Sequence, residues 1–322
     1  MSLNRKDFLR YLITGGLGAC FGGASAIPKY FKENGAGLVT VKRQSLVMGS
    51  VASFEVVADS ERAGYEAIRK AVDVFRSLDK KLSMYRDDSE MAVLGKSAGR
   101  TPVSISEDAL EVLGFSKKIS ESTGGLFDVT IEPAMKSWGF RKEPGDLIKE
   151  PTHEELRKLE QLIGSEKISI TGNRAYLEQK GMAVDLGGVA GGYALDKAIE
   201  EMKRSDIRAA YINFSGDIHC FGQPLDGESW KVQILDPGTG QPLQESINLQ
   251  ERALSTSGAY ENRRENEGAS WGHLLNPETA RPVEPVASAT AIHASAMMAD
   301  AWSTASYLGA EAPGEVETIF IK

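Results

Sequence analysis

At 322 residues, with 41% hydrophobic and 25% charged content, the chain has the composition of a folded globular protein of one large domain or two ordinary ones. A formal net charge of −8 leaves no basic surplus to neutralise phosphates, which argues against a nucleic-acid binder. Two cysteines (Cys20 and Cys220) and four histidines argue against a disulfide scaffold and a thiolate zinc cluster, and no HExxH, CxxC or Walker-type glycine loop occurs.

The first residues differ in kind from the rest. "NRKDFLRYLITGGLGACFGGASA" has a basic start (Arg5, Lys6, Arg10), a short Gly/Ala-rich apolar run and then small residues, the form of an export signal over residues 1–26. The run from Tyr11 to Ala26 is glycine-broken and shorter than the roughly 20 apolar residues a spanning helix needs. "RKDFLR" resembles a twin-arginine signal with Lys6 in place of the second arginine. "LGAC" resembles a lipobox, which would make Cys20 a lipid attachment point; cleavage after Ala26 and a short uncleaved anchor are the other readings. The first thirty residues carry a formal +3, so the remainder carries −11. The expectation is an acidic domain at the periplasmic face of the membrane or free in the periplasm.

Residues 27–37, ending in "KENGAG", read as a linker, and no internal break divides 38–322. "LVTVKRQSLVMGSVASFEVVA" alternates and is valine-rich, as strands are. From Ser60 to Leu82 the apolar positions Ile68, Ala71, Val72, Phe75, Leu78 and Leu82 keep helical spacing. A second helix is expected from Ser104, where "SISE" offers a capping box, to Ser122 before Gly124. "HEELRKLEQLIG" reads as a polar-rich third. After the loop "VDLGGVAGG", Leu195, Ala198, Ile199 and Met202 mark a helix beyond Gly192, followed by the strands "AAYINF" and "WKVQIL", the latter ended by Asp236 and Pro237. "VASATAIH" is a last strand, and "SAMMADAWSTASYLG" a helix with Ser295 as cap and Gly309 as stop. Interleaved strands and helices without a βαβ cadence indicate an α+β fold, a single mixed α/β domain.

Several residue groups suit chemistry, and none is decisive alone. Asp300 and Thr304 are spaced i, i+4, so a helix would place a carboxylate and a hydroxyl on one face, a pairing that suits a hard cation such as magnesium or simply a solvated charge. Gly187, Gly188, Gly191 and Gly192 fit no dinucleotide fingerprint; they suit either phosphate approach or a strand-to-helix turn. Phe127, Trp138 and Phe140, with Asp128 beside them, would flank a planar ring or fill a core. His273, in a strand-like segment, is either a proton-transfer group or a structural hydrogen-bonder. "LSTSGAY" adds hydroxyls.

The order of these segments is more specific than any one of them. "LVMGSVASFEV", "LSMYRDDSEM", "GGLFDVTIEPAMKSWGF", "VDLGGVAGGYALD", "NFSGDI", "LSTSGAY", "GHLLNP" and "ADAWSTA" together resemble the FAD:protein FMN transferase family, also called ApbE-type, over roughly residues 40 to 310. The resemblance implies transfer of FMN from FAD to a serine or threonine of an acceptor protein through a phosphoester, with AMP released and Mg2+ assisting. The implied acceptors resemble flavin-carrying subunits of membrane redox complexes. By motif position Met48, Tyr85, Leu126, Phe127, Asp128, Asp185, Gly191 and Leu275 would line the FAD site. Asp300 and Thr304, with a backbone oxygen near Gly188, would hold the metal, and His273 would assist proton transfer. Three positions depart from the family pattern: Gly191 stands where a lysine is common, Asn276 where aspartate is usual, and Ser215 where glycine is usual. Two alternative readings stand beside transfer: an FAD pyrophosphatase giving FMN and AMP, and a non-catalytic flavin-binding lipoprotein.

Overall fold

The structure is a computed structural model that describes residues 37–142, 146, 148–242, 246–266 and 268–322. The export signal, Cys20 and all but the last residue of the linker lie outside the described residues. The chain opens with a hairpin, β1 (Val39–Val47) and β2 (Ser50–Ala58), then the long helix α1 (Glu61–Leu82) and the short α2 (Glu90–Lys96). A small sheet of β3 (Val103–Ser104), β4 (Ile168–Thr171) and β5 (Arg174–Leu177) brackets α3 (Glu107–Ser122), α4 (Glu132–Ser137) and α5 (His153–Leu162) in sequence. Helix α6 (Ala190–Lys203) leads into the hairpin β6 (Ile207–Phe214) and β7 (Asp217–Phe221), and a ribbon of β8 (Trp230–Val232) and β9 (Ile247–Leu249) precedes β10 (Ala253–Ser257). Two more ribbons follow, β11 (Arg263–Asn266) with β12 (Ala269–Gly272) and β13 (Leu275–Asn276) with β14 (Arg281–Pro282). The chain closes with β15 (Ser288–His293), α7 (Ala296–Tyr307) and β16 (Glu317–Ile321).

The large sheet has the order β1-β2-β6-β7-β10-β15-β16, and its pairings are antiparallel. Alternation along each strand sorts side chains to two cores. Phe54, Val56, Ala210, Ile212 and Phe214 point into the main core with Ile68, Phe75 and Leu78 of α1 and Leu195 and Ile199 of α6. Phe75 packs on Phe214 with ring centroids 5.2 Å apart. Residues one step out of phase, Val57, Ala209 and Cys220, join Trp230 and Leu249 of the β8–β9 ribbon on the other face. Burial pushes the Cys220 thiol up to about 11, so it is an inert core group. An antiparallel sheet with its long helices on one face is the α+β arrangement expected from the sequence. Among the described residues no helix is long and apolar enough to cross a membrane.

Local details differ from the sequence expectations for identifiable reasons. Helix α3 begins after Ser106, not at Ser104: Ser106 Oγ accepts from Ala109 N–H, while Ser104 pairs with Arg174 in the small sheet. Helix α6 begins at Ala190, so Gly191 and Gly192 lie in its first turn rather than before it. Strand β8 stops at Val232, because the Asp236 carboxylate caps a tight turn through Gly238 and Thr239 N–H and leaves Leu235 only an isolated bridge to Pro242. His273 sits just past the end of β12 rather than within a strand. The short α2 and α4 gave too few turns for periodicity to reveal.

Candidate active site

One end of the large sheet carries two tight turns. Met48 and Gly49, between β1 and β2, have φ of 45° and 71°; Ser215 and Gly216, between β6 and β7, have 56° and 102°. A hydrogen bond between the Ser50 and Ser215 hydroxyls joins the two turns, and Asn213 Oδ1 accepts from Gly216 N–H. Ser215 thus holds the left-handed conformation that favours glycine, with a side-chain bond that glycine lacks. Beside these turns lies a cavity of about 360 Å³. It gathers every residue that the family resemblance assigned to the FAD, metal and proton-transfer positions. Met48, Tyr85, Leu126, Phe127 and Asp128 line it from the first half of the chain, and Asp185, Gly188, Gly191, His273, Leu275, Asp300 and Thr304 from the second.

Its most acidic corner is built by the crossing of α6 and α7. Asp300 and Thr304 sit one turn apart on α7, and Asp300 Oδ2 accepts from Gly192 N–H at 2.9 Å. That approach requires glycine, since a Cβ on Gly192 would stand 2.2 Å from the Ala296 carbonyl oxygen. A Cβ on Gly188 would stand 3.1 Å from Thr304 Oγ1, so the loop backbone runs beside the hydroxyl, which also bonds Ser257 Oγ at 3.0 Å. A second carboxylate, Asp217, accepts from Ser255 Oγ. A Cβ on Gly191 would be 3.3 Å from Asp217 Oδ2 and 3.5 Å from Asp300 Oδ2, so both carboxylates converge on this glycine. Burial pushes Asp217 up to about 7, and burial followed by the nearby Asp217 charge pushes Asp300 well above the usual carboxylate range.

Among the described residues no lysine, arginine or histidine pairs with Asp217 or Asp300. Two carboxylates brought together out of water without a counter-charge are costly, and a bound cation removes that cost. No group of three or more His, Cys, Asp or Glu with metal-holding geometry occurs among the described residues. A cation here therefore draws on hydroxyl and backbone oxygens as well, and carboxylate, hydroxyl and carbonyl oxygens are the donors a hard divalent ion takes. The residues fit magnesium.

The helix that carries Asp300 and Thr304 is fixed by a second helix. Asp196 of α6 accepts from the N–H groups of Ala296 and Met297 at 2.6 and 3.1 Å and from Ser295 Oγ at 2.6 Å. His219 Nδ1 stands 3.0 Å from the same carboxylate. Asp196 therefore caps α7 from outside, with its negative charge at the positive end of the helix dipole.

Across the cavity, His273 has a buried Nδ1 with no hydrogen-bond partner among the described residues. Burial pushes its pKa down to about 4; Arg141 and Arg264 act in the same direction, and Asp185 and the Asn262 backbone oppose them. The imidazole is therefore neutral near pH 7 and able to accept a proton. Asp185 Oδ1 accepts from Gly187 N–H at 2.7 Å, and its Oδ2 accepts from Arg141 at 2.6 Å.

Some expected residues play structural parts as well. Both oxygens of Asp128 are occupied, Oδ1 by the amide and hydroxyl of Thr130 and Oδ2 by Ser120 Oγ and Ser165 N–H. Trp138 and Phe140 are core residues, Trp138 packing on Trp271 with centroids 5.5 Å apart. Asn276 Oδ1 accepts from Glu278 N–H, the turn role that aspartate would also serve. Sequence reasoning missed Arg141, Asp217 and Glu261 as lining residues. Asp217 was visible inside "NFSGDI", whereas Arg141 opens the charged run "RKEPG" and looks like a surface residue.

Comparison with known proteins gives the family. The chain is 29% identical over 261 residues to the FAD:protein FMN transferase of Vibrio cholerae serotype O1, covering 80% of this chain and 78% of the relative. It is 29% identical over 245 residues to that of Escherichia coli K12, covering 74% and 70%. A solved structure, the flavin transferase ApbE from Vibrio cholerae, superposes with a TM-score of 0.76 at 26% identity, covering 87% of this chain and 93% of the other. The ApbE family model matches residues 48–315, a span holding every lining residue discussed above, and the chain belongs to the ApbE family.

Proposed function

We propose that the protein transfers FMN from FAD to a serine or threonine hydroxyl of an acceptor protein, forming a phosphoester and releasing AMP, with magnesium assisting. The observation that carries this reading is the meeting, in one cavity, of an oxygen-lined acidic corner with a neutral histidine, in a chain whose relatives are named FAD:protein FMN transferase. Met48, Tyr85, Leu126, Phe127, Asp128, Asp185, Gly191 and Leu275 supply the walls for FAD. Asp300, Thr304 and a backbone oxygen at Gly188 would hold the ion. Magnesium, when bound, neutralises charge on the pyrophosphate oxygens.

The acceptor oxygen attacks the FMN-side phosphorus, the bond from that phosphorus to the bridging oxygen breaks, and AMP leaves with the electron pair. The hydroxyl proton passes to His273, a base contribution worth typically ~10²–10⁴-fold. The same reading puts the enzyme outside the cytoplasm, from the signal-like residues 1–26, with Cys20 as an optional lipid anchor and flavin-carrying subunits of membrane redox complexes as acceptors. The test is AMP release from FAD with magnesium and an acceptor present. The wild-type protein should release AMP, and Asp300→Ala should lose the metal-dependent part by about a hundredfold or more, as removal of a charge-stabilising group does. Undiminished metal-dependent release by that variant would remove Asp300 from the metal site.

A further inference from the structure

The buried charge that the proposed mechanism leaves unused is Arg141. It follows the "SWGF" segment, its side chain is 14% exposed, and it is the sole arginine lining the cavity among the described residues. Its Nε and Nη2 donate to Glu132 Oε2 at 3.0 and 2.8 Å, and Nη2 also donates to Asp185 Oδ2 at 2.6 Å. Nη1 donates to the Tyr85 hydroxyl at 3.4 Å, and the guanidinium carbon stands 5.2 Å from the centre of the Tyr85 ring. One side chain thus ties together three segments that are distant in sequence: the chain after α1, the first residue of α4, and the loop leading into α6.

Stability alone is a poor account of this triad. Glu132 is 4% and Asp185 12% exposed, and a buried ion cluster is often no more stabilising than apolar residues of the same volume. Its placement says more. The Asp185 oxygen not held by Arg141 fixes Gly187 N–H, and the next residue, Gly188, passes beside Thr304 in the acidic corner. Orienting Asp185 therefore orients the first turn of the glycine loop. On the other side, Tyr85 is a water-exposed ring at the cavity wall, with the guanidinium as a close neighbour.

We propose that Arg141 is a positioning residue for FAD binding: by tying Asp185 to Glu132 and seating Tyr85, it holds the glycine loop and the cavity mouth in their ligand-binding arrangement. The inference rests on FAD being the ligand of this cavity. Only a planar guanidinium has the donor count and spread to reach Glu132, Asp185 and Tyr85 together; a lysine is a point charge with three donors on one atom.

The test compares wild type, Arg141→Lys, and the double variant Glu132→Met with Arg141→Met, which removes the more buried carboxylate together with its counter-charge and leaves Asp185 held by Gly187 N–H. Each is measured for melting temperature, and for KM of FAD and kcat at pH 8 with saturating magnesium and acceptor. Arg141→Lys should raise KM roughly tenfold, the effect of one lost charge-assisted hydrogen bond, and leave kcat within about threefold. The double variant should show the same KM rise with a melting temperature close to wild type. A folded double variant with wild-type KM, or a loss in kcat with KM unchanged in either variant, would overturn the proposal. Failure of the proposed function shows differently, as absence of FAD turnover in the wild type itself.

Discussion

His273 illustrates how far a single residue can be read. The sequence shows a lone histidine in "GHLLNP"; its setting is what keeps it neutral near pH 7, since burial and two nearby arginines disfavour the protonated ring and Nδ1 has no hydrogen-bond partner among the described residues. Its folded pKa of about 4 lies below the ordinary 6.5, so the neutral form is favoured on folding. As pH falls below 6.5 the unfolded chain takes up a proton before the folded one does. The group's contribution to stability is therefore full above 6.5 and is lost between 6.5 and about 4. An NMR titration of the His273 ring should find its midpoint near 4, whereas a midpoint near 6.5 would mean that the imidazole is not shielded. The i, i+4 spacing of Asp300 and Thr304 was enough to put them on one helix face, while their place in the cavity was anticipated only by the family resemblance. Arg141 was not, since its partners are 9, 44 and 56 positions away and no local pattern records them.

At the scale of elements, the glycine loop is where sequence and structure meet most closely. Four glycines in six positions were consistent with either a turn or a phosphate approach, and the two inside α6 prove to have different jobs. Gly192 lets α6 cross α7 at backbone contact, while Gly191 faces the cavity between Asp217 and Asp300. Gly192→Ala should therefore cost about 1–3 kcal/mol of stability through overpacking, visible as a lowered denaturation midpoint. Gly191→Ala, whose Cβ would meet atoms no closer than 3.3 Å, should stay within about 1 kcal/mol, the residual being its gain in helix propensity. Equal losses in both would show that the crossing is not as close as described. The long helices α1 and α7 were legible because periodicity and caps agree over many turns. The start of α3 was misplaced because two serines compete for the cap, and only pairing of Ser104 with β5 decides between them.

At the scale of the whole molecule, the α+β class followed from strands and helices interleaved without a parallel cadence. The strand order did not: β2 pairs with β6, β7 with β10 and β10 with β15 across long insertions, and nothing local specifies those pairings. That arrangement is nonetheless what makes the site. It sets the β1–β2 and β6–β7 turns at one end of the sheet and places the end of β10 against α7, so that Met48, Asp217, Ser257 and Thr304 share a cavity. The family resemblance anticipated this gathering because its motifs are spread along the chain in the order the fold requires. The central claim is that this cavity joins FMN to a protein rather than to water, and it is tested most directly by intact-mass measurement on the acceptor. Purified protein, FAD, magnesium and an acceptor carrying the target threonine should yield an FMN-sized mass increase on the acceptor and an equal amount of AMP. Free FMN and AMP with an unmodified acceptor would contradict the account.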